Sequence, residues 1–225
     1  APKFDQRSKA FRATNHVSIT VKRKPGGLMS NLLHDNAGAL VTNTLPIAFM
    51  GTGAGFTCLE ESPDDTGLAV PPKMLWIAGG VGITPFMSMW DGIVQVAKAN
   101  PNQISTDIAL LFAGRDDDIN VLNHFSLPQG ARPDHVALQI SVFQSVGESA
   151  SPAPSAQDGL REMLSDNLLK LEKRRMGIDD IQSVTDLSAR EVFMCGPDSL
   201  MNETQTILAE LDVEESRCHR ETFTF

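Results

Sequence analysis

The sequence predicts an α/β protein: a parallel sheet with helices on both faces from residue 72 to 225, preceded over 1–71 by part of a β-barrel. Three observations carry this. Apolar, strand-like runs near 74–78, 107–113, 135–143 and 190–195 alternate with helical segments, the rhythm of βαβ units. Two of those runs pass straight into glycine turns that open helices. The residues before 60 instead hold short strand candidates set among Gly, Pro and Asn, too few to close a barrel.

Taken in order, residues 15–21 (Asn-His-Val-Ser-Ile-Thr-Val) alternate polar and apolar, the pattern of a half-buried strand. A Pro25-Gly26-Gly27 turn and a short helix follow, then strand candidates at Ala39–Val41 and Leu45–Met50. Glycines 51, 53 and 55 precede a further short strand at Phe56–Cys58. Glu60–Pro72 is acidic and rich in Pro and Gly, a linker by composition. Met74–Ala78 is a buried strand, and its turn ends at Thr84-Pro85, where Pro suits a first helical position because its missing N–H would have no intrahelical partner. Phe86, Met89, Trp90, Ile93, Val94 and Ala97 then keep helical spacing. Ser145–Gln157 is a low-complexity loop, and Asp158–Lys173 reads as an amphipathic helix. A last strand candidate, Glu191–Cys195, leads into a helix with Leu200, Met201, Thr204, Ile207, Leu208 and Leu211 on one face.

Composition narrows the function. The net charge is −9 with no basic block, which argues against nucleic acid and anionic membrane surfaces as partners. No apolar stretch is long enough to span a bilayer. Cys58, Cys195 and Cys218 are three unpaired-looking thiols, which suits a reducing compartment and predicts a cytoplasmic protein. Three cysteines cannot hold a four-cysteine iron–sulfur cluster. The five histidines show no metal-ligand spacing, and no Ser-His-Asp arrangement supports hydrolysis.

The chemistry concentrates in two segments. Trp76-Ile-Ala-Gly-Gly-Val-Gly-Ile-Thr-Pro-Phe86 places Gly79, Gly80 and Gly82 between a strand and a helix N-terminus, where free N–H groups and the positive dipole end hold a phosphate. Gly80, Gly82, Ile83, Thr84 and Pro85 are the expected pyrophosphate contacts. The alternative is a tight turn needed for packing. Glu191-Val-Phe-Met-Cys-Gly-Pro-Asp198 is a second strand and turn. Here Cys195 is either a reactive-site neighbour or a small buried hydrophobe; Gly196 and Pro197 shape the turn, and Asp198 is an expected helix cap. Arg115 follows the 107–113 strand; it is either a surface Arg paired with Asp116, Asp117 and Asp118, of which Asp118 is an expected cap of the next helix, or, in the family that the two turns resemble (below), a residue facing the adenosine ribose, where a guanidinium suits a 2′-phosphate and the carboxylates suit ribose hydroxyls.

Together the Gly-Gly-Val-Gly-Ile-Thr-Pro and Cys-Gly-Pro turns resemble the ferredoxin–NADP reductase family. The resemblance extends to Lys24–Asp35, whose Gly27 and Ser30 match that family's Gly-x-x-Ser flavin-phosphate motif, and to the aromatic C-terminal segment Glu221–Phe225. The family's Arg-x-Tyr/Phe-Ser/Thr motif is not in this sequence, so the likeness is to the C-terminal portion of such a reductase, with an incomplete flavin barrel. The resemblance implies FAD held by Gly27, Leu28, Met29, Ser30 and Asn31, with Phe223 or Phe225 over the flavin ring. It implies NADPH or NADH on the first glycine turn and Arg115, and Cys195 beside the nicotinamide. The implied activity is hydride transfer from NAD(P)H to flavin, with electrons passed to a haem or iron–sulfur protein or domain. Two alternatives stay open: a non-catalytic NAD(P)-binding module, or a subunit whose flavin site another chain completes.

Overall fold

The computed structural model describes residues 3–5, 10–12, 19–38, 55–61, 68–99, 104–126, 132–144 and 168–222. They fall into two compact units, Val17–Gly55 and a larger one made of Ala1–His16 with Phe56–Phe225.

In the smaller unit the described element is α1 (Leu28–Asp35). Residues 19–21, expected to finish a strand, carry no regular structure. The Val21 carbonyl is bonded 2.8 Å from a ring nitrogen of His34. Residues 15–18 and the strands expected at Ala39–Val41 and Leu45–Met50 lie outside the described residues.

The larger unit begins with an antiparallel pair, β1 (Lys3–Asp5) with β2 (Ala10–Arg12). Phe56–Cys58, expected as a strand, is irregular: the Thr57 hydroxyl accepts the Leu59 N–H at 3.1 Å, a local bond that competes with a ladder. The supposed linker is also partly structured, because β3 (Glu60–Glu61) pairs antiparallel with β4 (Leu68–Ala69). Two-residue strands are too short to show a period.

The main sheet is six-stranded and wholly parallel. Its members are β5 (Lys73–Gly79), β6 (Thr106–Gly114), β7 (Val136–Gln144), β8 (Leu168–Glu172), β9 (Glu191–Gly196) and β10 (Cys218–Thr222), in the order β10-β9-β5-β6-β7-β8. Its helices are α2 (Thr84–Ala99), the short α3 (Ile178–Gln182) and α4 (Asp198–Glu210), with a 3-10 segment at Asp116–Phe125. Strand alternation divides the core. Met74, Trp76 and Ala78 face one side with Phe86, Trp90, Ile93, Leu122 and Phe125. Leu75 and Ile77 face the other with Ile181, Met201 and Leu208. On the first side Phe56 meets Phe86 and Phe193 edge-on, at 5.8 and 5.9 Å between centroids.

β8 corrects the helix expected over Asp158–Lys173: its last residues form a sheet strand, while 158–167 lie outside the described residues, as does the 145–157 loop. Lys170 explains the preference. Its ammonium reaches Asp180 at 2.7 Å and sits 5.2 Å from the centre of the Phe143 ring on β7, contacts made from the strand position. At the opposite, amino edge, buried Arg190 ties three strands together. It donates to the carbonyls of Met74, Asp107 and Thr185 and to the Asp107 carboxylate.

Candidate nucleotide-binding site

The two glycine turns meet at the carboxyl edge of adjacent strands, the edge where open parallel sheets bind ligands. β5 and β9 run in register to Ala78 beside Cys195, so the turn after each lies against the other. A Cβ added at Gly82 would stand 2.2 Å from the Cys195 carbonyl oxygen and 2.8 Å from the Gly196 Cα. Gly79 and Gly196 meet less tightly: a Cβ on Gly196 would lie 3.1 Å from Gly79 N and Cα, and one on Gly79 2.5 Å from Leu200 Cδ2. Packing is therefore sufficient reason for these glycines. Gly80 differs. Its φ is +53°, the left-handed region, so it is glycine for the backbone turn itself.

The helical run starts earlier than Thr84-Pro85 suggests. Gly80–Ile83 is a 3-10 turn continuous with α2. A 3-10 turn bonds each N–H to the carbonyl three residues back, so the Gly82 N–H is taken by Gly79, and those without an acceptor in the turn are Gly80 and Val81. Thr84 is not among them: its N–H is bonded to the Val81 carbonyl, and its hydroxyl donates to the same oxygen at 3.0 Å. Pro85 has no N–H. The capacity of this turn to take an anion rests on the N–H groups of Gly80 and Val81 and on the dipole of α2, and Ile83, Thr84 and Pro85 hold that turn in shape. The Val81 N–H is a donor that sequence reasoning passed over.

Cys195 is fully buried in the first core face, and burial pushes its thiol up to about 12, with the charge of Glu221 adding to the effect. It is a neutral, compact group. Glu221 was also missed. β10 runs parallel to β9 with Glu221 in register with Cys195, so carboxylate and thiol share one face at the end of the sheet. Alternation along Cys218–Thr222 held that signal, but only the strand pairing reveals it. Asp198 corrects an expectation: Pro197 is the N-cap of α4, and Asp198 is its first residue, without a side-chain cap bond. There its charge still suits the helix N-terminus. Phe223 and Phe225 lie outside the described residues.

Arg115 follows β6 at the same edge, exposed, with no ion-pair partner among the described residues. Its N–H is bonded to Asp118 Oδ2 at 3.0 Å, so Asp118, the third residue of the 3-10 segment, reaches back to its N-cap as the acidic member of a capping box.

The smaller unit holds the remaining expected contacts. Gly27 is the N-cap of α1, and a Cβ there would meet Ser30 Oγ at 2.8 Å. Ser30 is the third helical residue; its hydroxyl accepts the Lys24 N–H at 3.1 Å. The Asn31 N–H is bonded to Gly27 O, and its amide donates to Lys24 O. The N–H groups of Leu28, Met29 and Ser30 begin the helix without intrahelical acceptors. The Leu28 and Met29 side chains are exposed. This geometry fits a phosphate.

Residues 76–206, from β5 through most of α4, match the family described as the oxidoreductase NAD-binding domain. The chain belongs to this family. It is 31% identical over 210 residues to the glycine betaine monooxygenase reductase subunit of Pseudomonas aeruginosa, covering 92% of this chain and 47% of that protein. It is 27% identical over 221 residues to a flavohemoprotein of Halalkalibacterium halodurans, covering 92% and 44%. Among solved structures, a cytochrome P450 reductase, GcoB, from Amycolatopsis superposes with a TM-score of 0.51 at 16% identity, covering 91% of this chain and 51% of that one; the likeness is one of fold. The chain spans about half the length of the curated relatives it matches. Among the described residues no helix is long and apolar enough to cross a membrane, and no three His, Cys, Asp or Glu side chains gather to hold a metal ion.

Proposed function

We propose that this chain is the NAD(P)H-binding portion, with part of the flavin site, of a flavin-dependent reductase that feeds electrons to a haem or iron–sulfur acceptor. The observation that carries the reading is the junction of the two turns: the N–H groups of Gly80 and Val81 at the start of the 3-10 turn, a helix dipole behind them, and Cys195 with Glu221 on the adjoining strand ends. The Gly80 and Val81 N–H groups bind the pyrophosphate, while Gly82 lets the second turn approach and Thr84 and Pro85 keep the first turn rigid. Gly196 and Pro197 set the height of the second turn. Cys195 keeps a small neutral thiol buried at the strand end beneath the place proposed for the nicotinamide, and Glu221 fixes the charge beside it. Leu28, Met29 and Ser30 offer N–H groups to FAD phosphate, and Phe223 and Phe225, continuing the chain past β10, are assigned to the flavin ring. When bound, the two cofactors supply the redox chemistry, hydride leaving the nicotinamide for the flavin and electrons leaving the flavin singly. The protein's share is alignment and exclusion of water.

The relatives support this reading, since monooxygenase reductase subunits and flavohemoproteins are both named among them. The three free cysteines support placement in a reducing cytoplasm. The test is a visible spectrum of the chain with FAD, followed by anaerobic addition of NADH or NADPH. Bleaching of bound flavin is expected. Nucleotide binding without flavin retention would confine the chain to nucleotide binding, and no binding of either nucleotide would sink the proposal.

A further inference from the structure

The register of β10 decides which side chain stands beside Cys195. β10 is an edge strand of the main sheet, paired along one side with β9. A slip of two residues would keep the parallel ladder bonds and leave every side chain on its own face. Apolar burial contributes little against such a slip. Cys218 is the one apolar residue of β10; it packs on the second core face, where Arg220 donates to Gln205 of α4 at 2.9 Å. On the first face stand His219 and Glu221, both polar.

What tells the registers apart lies one level below Cys195. Trp76 on β5, Phe193 on β9 and His219 on β10 are paired across the sheet. The His219 ring stacks on buried Phe193, with 4.6 Å between centroids and 21° between planes, and Phe56 meets the same Phe193 edge-on. His219 Nε2 lies 3.0 Å from Glu191 Oε2, and because a carboxylate only accepts, that nitrogen carries the proton. The other oxygen of Glu191 accepts from Arg217 Nε at 3.2 Å. One carboxylate on β9 thus holds the residues on either side of Cys218. The next level toward the carboxyl edge is Ala78, Cys195 and Glu221. In a register displaced by two residues, His219 would leave Phe193 and Glu221 would leave Cys195 together.

We propose that His219 is a positioning residue: its stack on Phe193 and its bond to Glu191 key the register of β10 and so hold Glu221 beside Cys195. The consequence for the reaction rests on the reading above, in which Cys195 and Glu221 border the place of the nicotinamide. His219 itself lies a level lower, acts through the strand, and does not touch the reacting atoms.

Disulfide trapping reads the register without either cofactor. In Glu221→Cys the new thiol is in register with Cys195, and such residues on neighbouring strands stand about 4.8 Å apart, inside the span that a disulfide bridges. The full chain is refolded from urea in a glutathione redox buffer, so that burial does not limit the reaction, and its crosslinks are mapped by peptide mass. The bond to Cys195 is expected to prevail over bonds to Cys58 and Cys218. Adding His219→Ala should lower the effective concentration of the two thiols about tenfold, and His219→Phe, which keeps the stack, should restore part of it. Arg190→Met, which loosens the opposite, amino edge, should leave it at the parental value. A crosslink unmoved by His219→Ala, or weakened as much by Arg190→Met, would overturn the assignment. In the FAD-loaded chain with Glu221 in place, His219→Ala should slow anaerobic bleaching by NADH or NADPH about tenfold at parental nucleotide affinity; an unchanged rate would overturn the positioning role. If the crosslinks behave as expected but the parent binds neither nucleotide, the register assignment stands and the proposed function falls.

Discussion

Replacing Gly82 by alanine tests the junction on which the site depends. The new methyl would stand 2.2 Å from the Cys195 oxygen, 2.6 Å from its carbonyl carbon and 2.8 Å from the Gly196 Cα. All three are backbone atoms of β9 and its turn, so no side chain can rotate away. The two turns must part by roughly 1 Å before the contact is tolerable in a close-packed interior. Overpacking of this kind costs about 1–3 kcal/mol, and a backbone-on-backbone clash belongs at the upper end. With a urea slope of about 2–3 kcal/mol per M, the unfolding midpoint should fall by about 1 M. Trp76 and Trp90 are the two tryptophans of the chain and both are fully buried, so their fluorescence reports the transition. The same displacement distorts the 3-10 turn and shifts the Gly80 and Val81 N–H groups, and NAD(P)H affinity should drop at least tenfold. Gly80→Ala is the comparison: it puts an L-residue at φ +53°, costing about 1–2 kcal/mol. A Gly82→Ala chain with parental midpoint and parental nucleotide affinity would show that the two turns do not touch as described, and the reasoning would fail.

Further outcomes follow from other parts of the molecule. Arg190→Met removes the donor to three carbonyls at the amino edge and should cost about 3 kcal/mol in urea unfolding, while nucleotide affinity, set at the far edge, stays at the parental value; a change in affinity would contradict that separation. Burial holds both the Cys58 and Cys195 thiols up to about 12, so at pH 8 a thiol reagent should modify Cys218 in the native chain and the other two after unfolding; rapid native labelling of Cys195 would refute its burial. His124 is bonded to Asp91 at 3.0 Å, and that bond raises its pKa above the unfolded value of about 6.5. Its contribution is complete below that value and is lost as pH rises through the folded pKa. His124→Gln should therefore destabilise by about 0.5 kcal/mol at pH 5.5, with the difference shrinking at pH 9; a deficit that grows with pH would reverse the assignment.

How far the sequence foretells this structure depends on whether a segment's reason is local. β5, β6, β7 and β9 are legible because strands buried on both faces must be apolar throughout, and Leu75–Ala78 and Val192–Cys195 are. α2 and α4 are legible from the period of Phe86, Trp90, Ile93 and of Met201, Leu208. β8 is not. Leu-Leu-Lys-Leu-Glu is compatible with either period, and the partners that decide for a strand, Phe143 and Asp180, are supplied by β7 and α3. The pair Glu60–Glu61 with Leu68–Ala69 is hidden for a related reason: an acidic, Pro- and Gly-containing composition describes what joins the strands more than the strands themselves.

The site divides along the same line. Gly79, Gly80, Gly82 and Gly196 stand out in sequence, but sequence does not separate a glycine that clears space for a ligand from one that clears space for another turn. The geometry does separate them: Gly82 is spent on the Cys195 carbonyl and Gly80 on its own φ, so under the proposed function phosphate binding falls to backbone N–H groups that carry no sequence identity. On that proposal Val81 would contribute as much as Gly80 and be invisible in a motif. Glu221 is the converse case, a side chain whose identity matters and whose place is set only by β10 lying parallel to β9. A shift of one residue in that pairing would turn Glu221 to the opposite face and bring Arg220 or Thr222 beside Cys195. The charge next to the thiol is thus a property of strand register, and Glu221→Gln should lower the Cys195 pKa by removing that charge without moving the strand. A thiol titration showing no fall would mean that burial alone sets it.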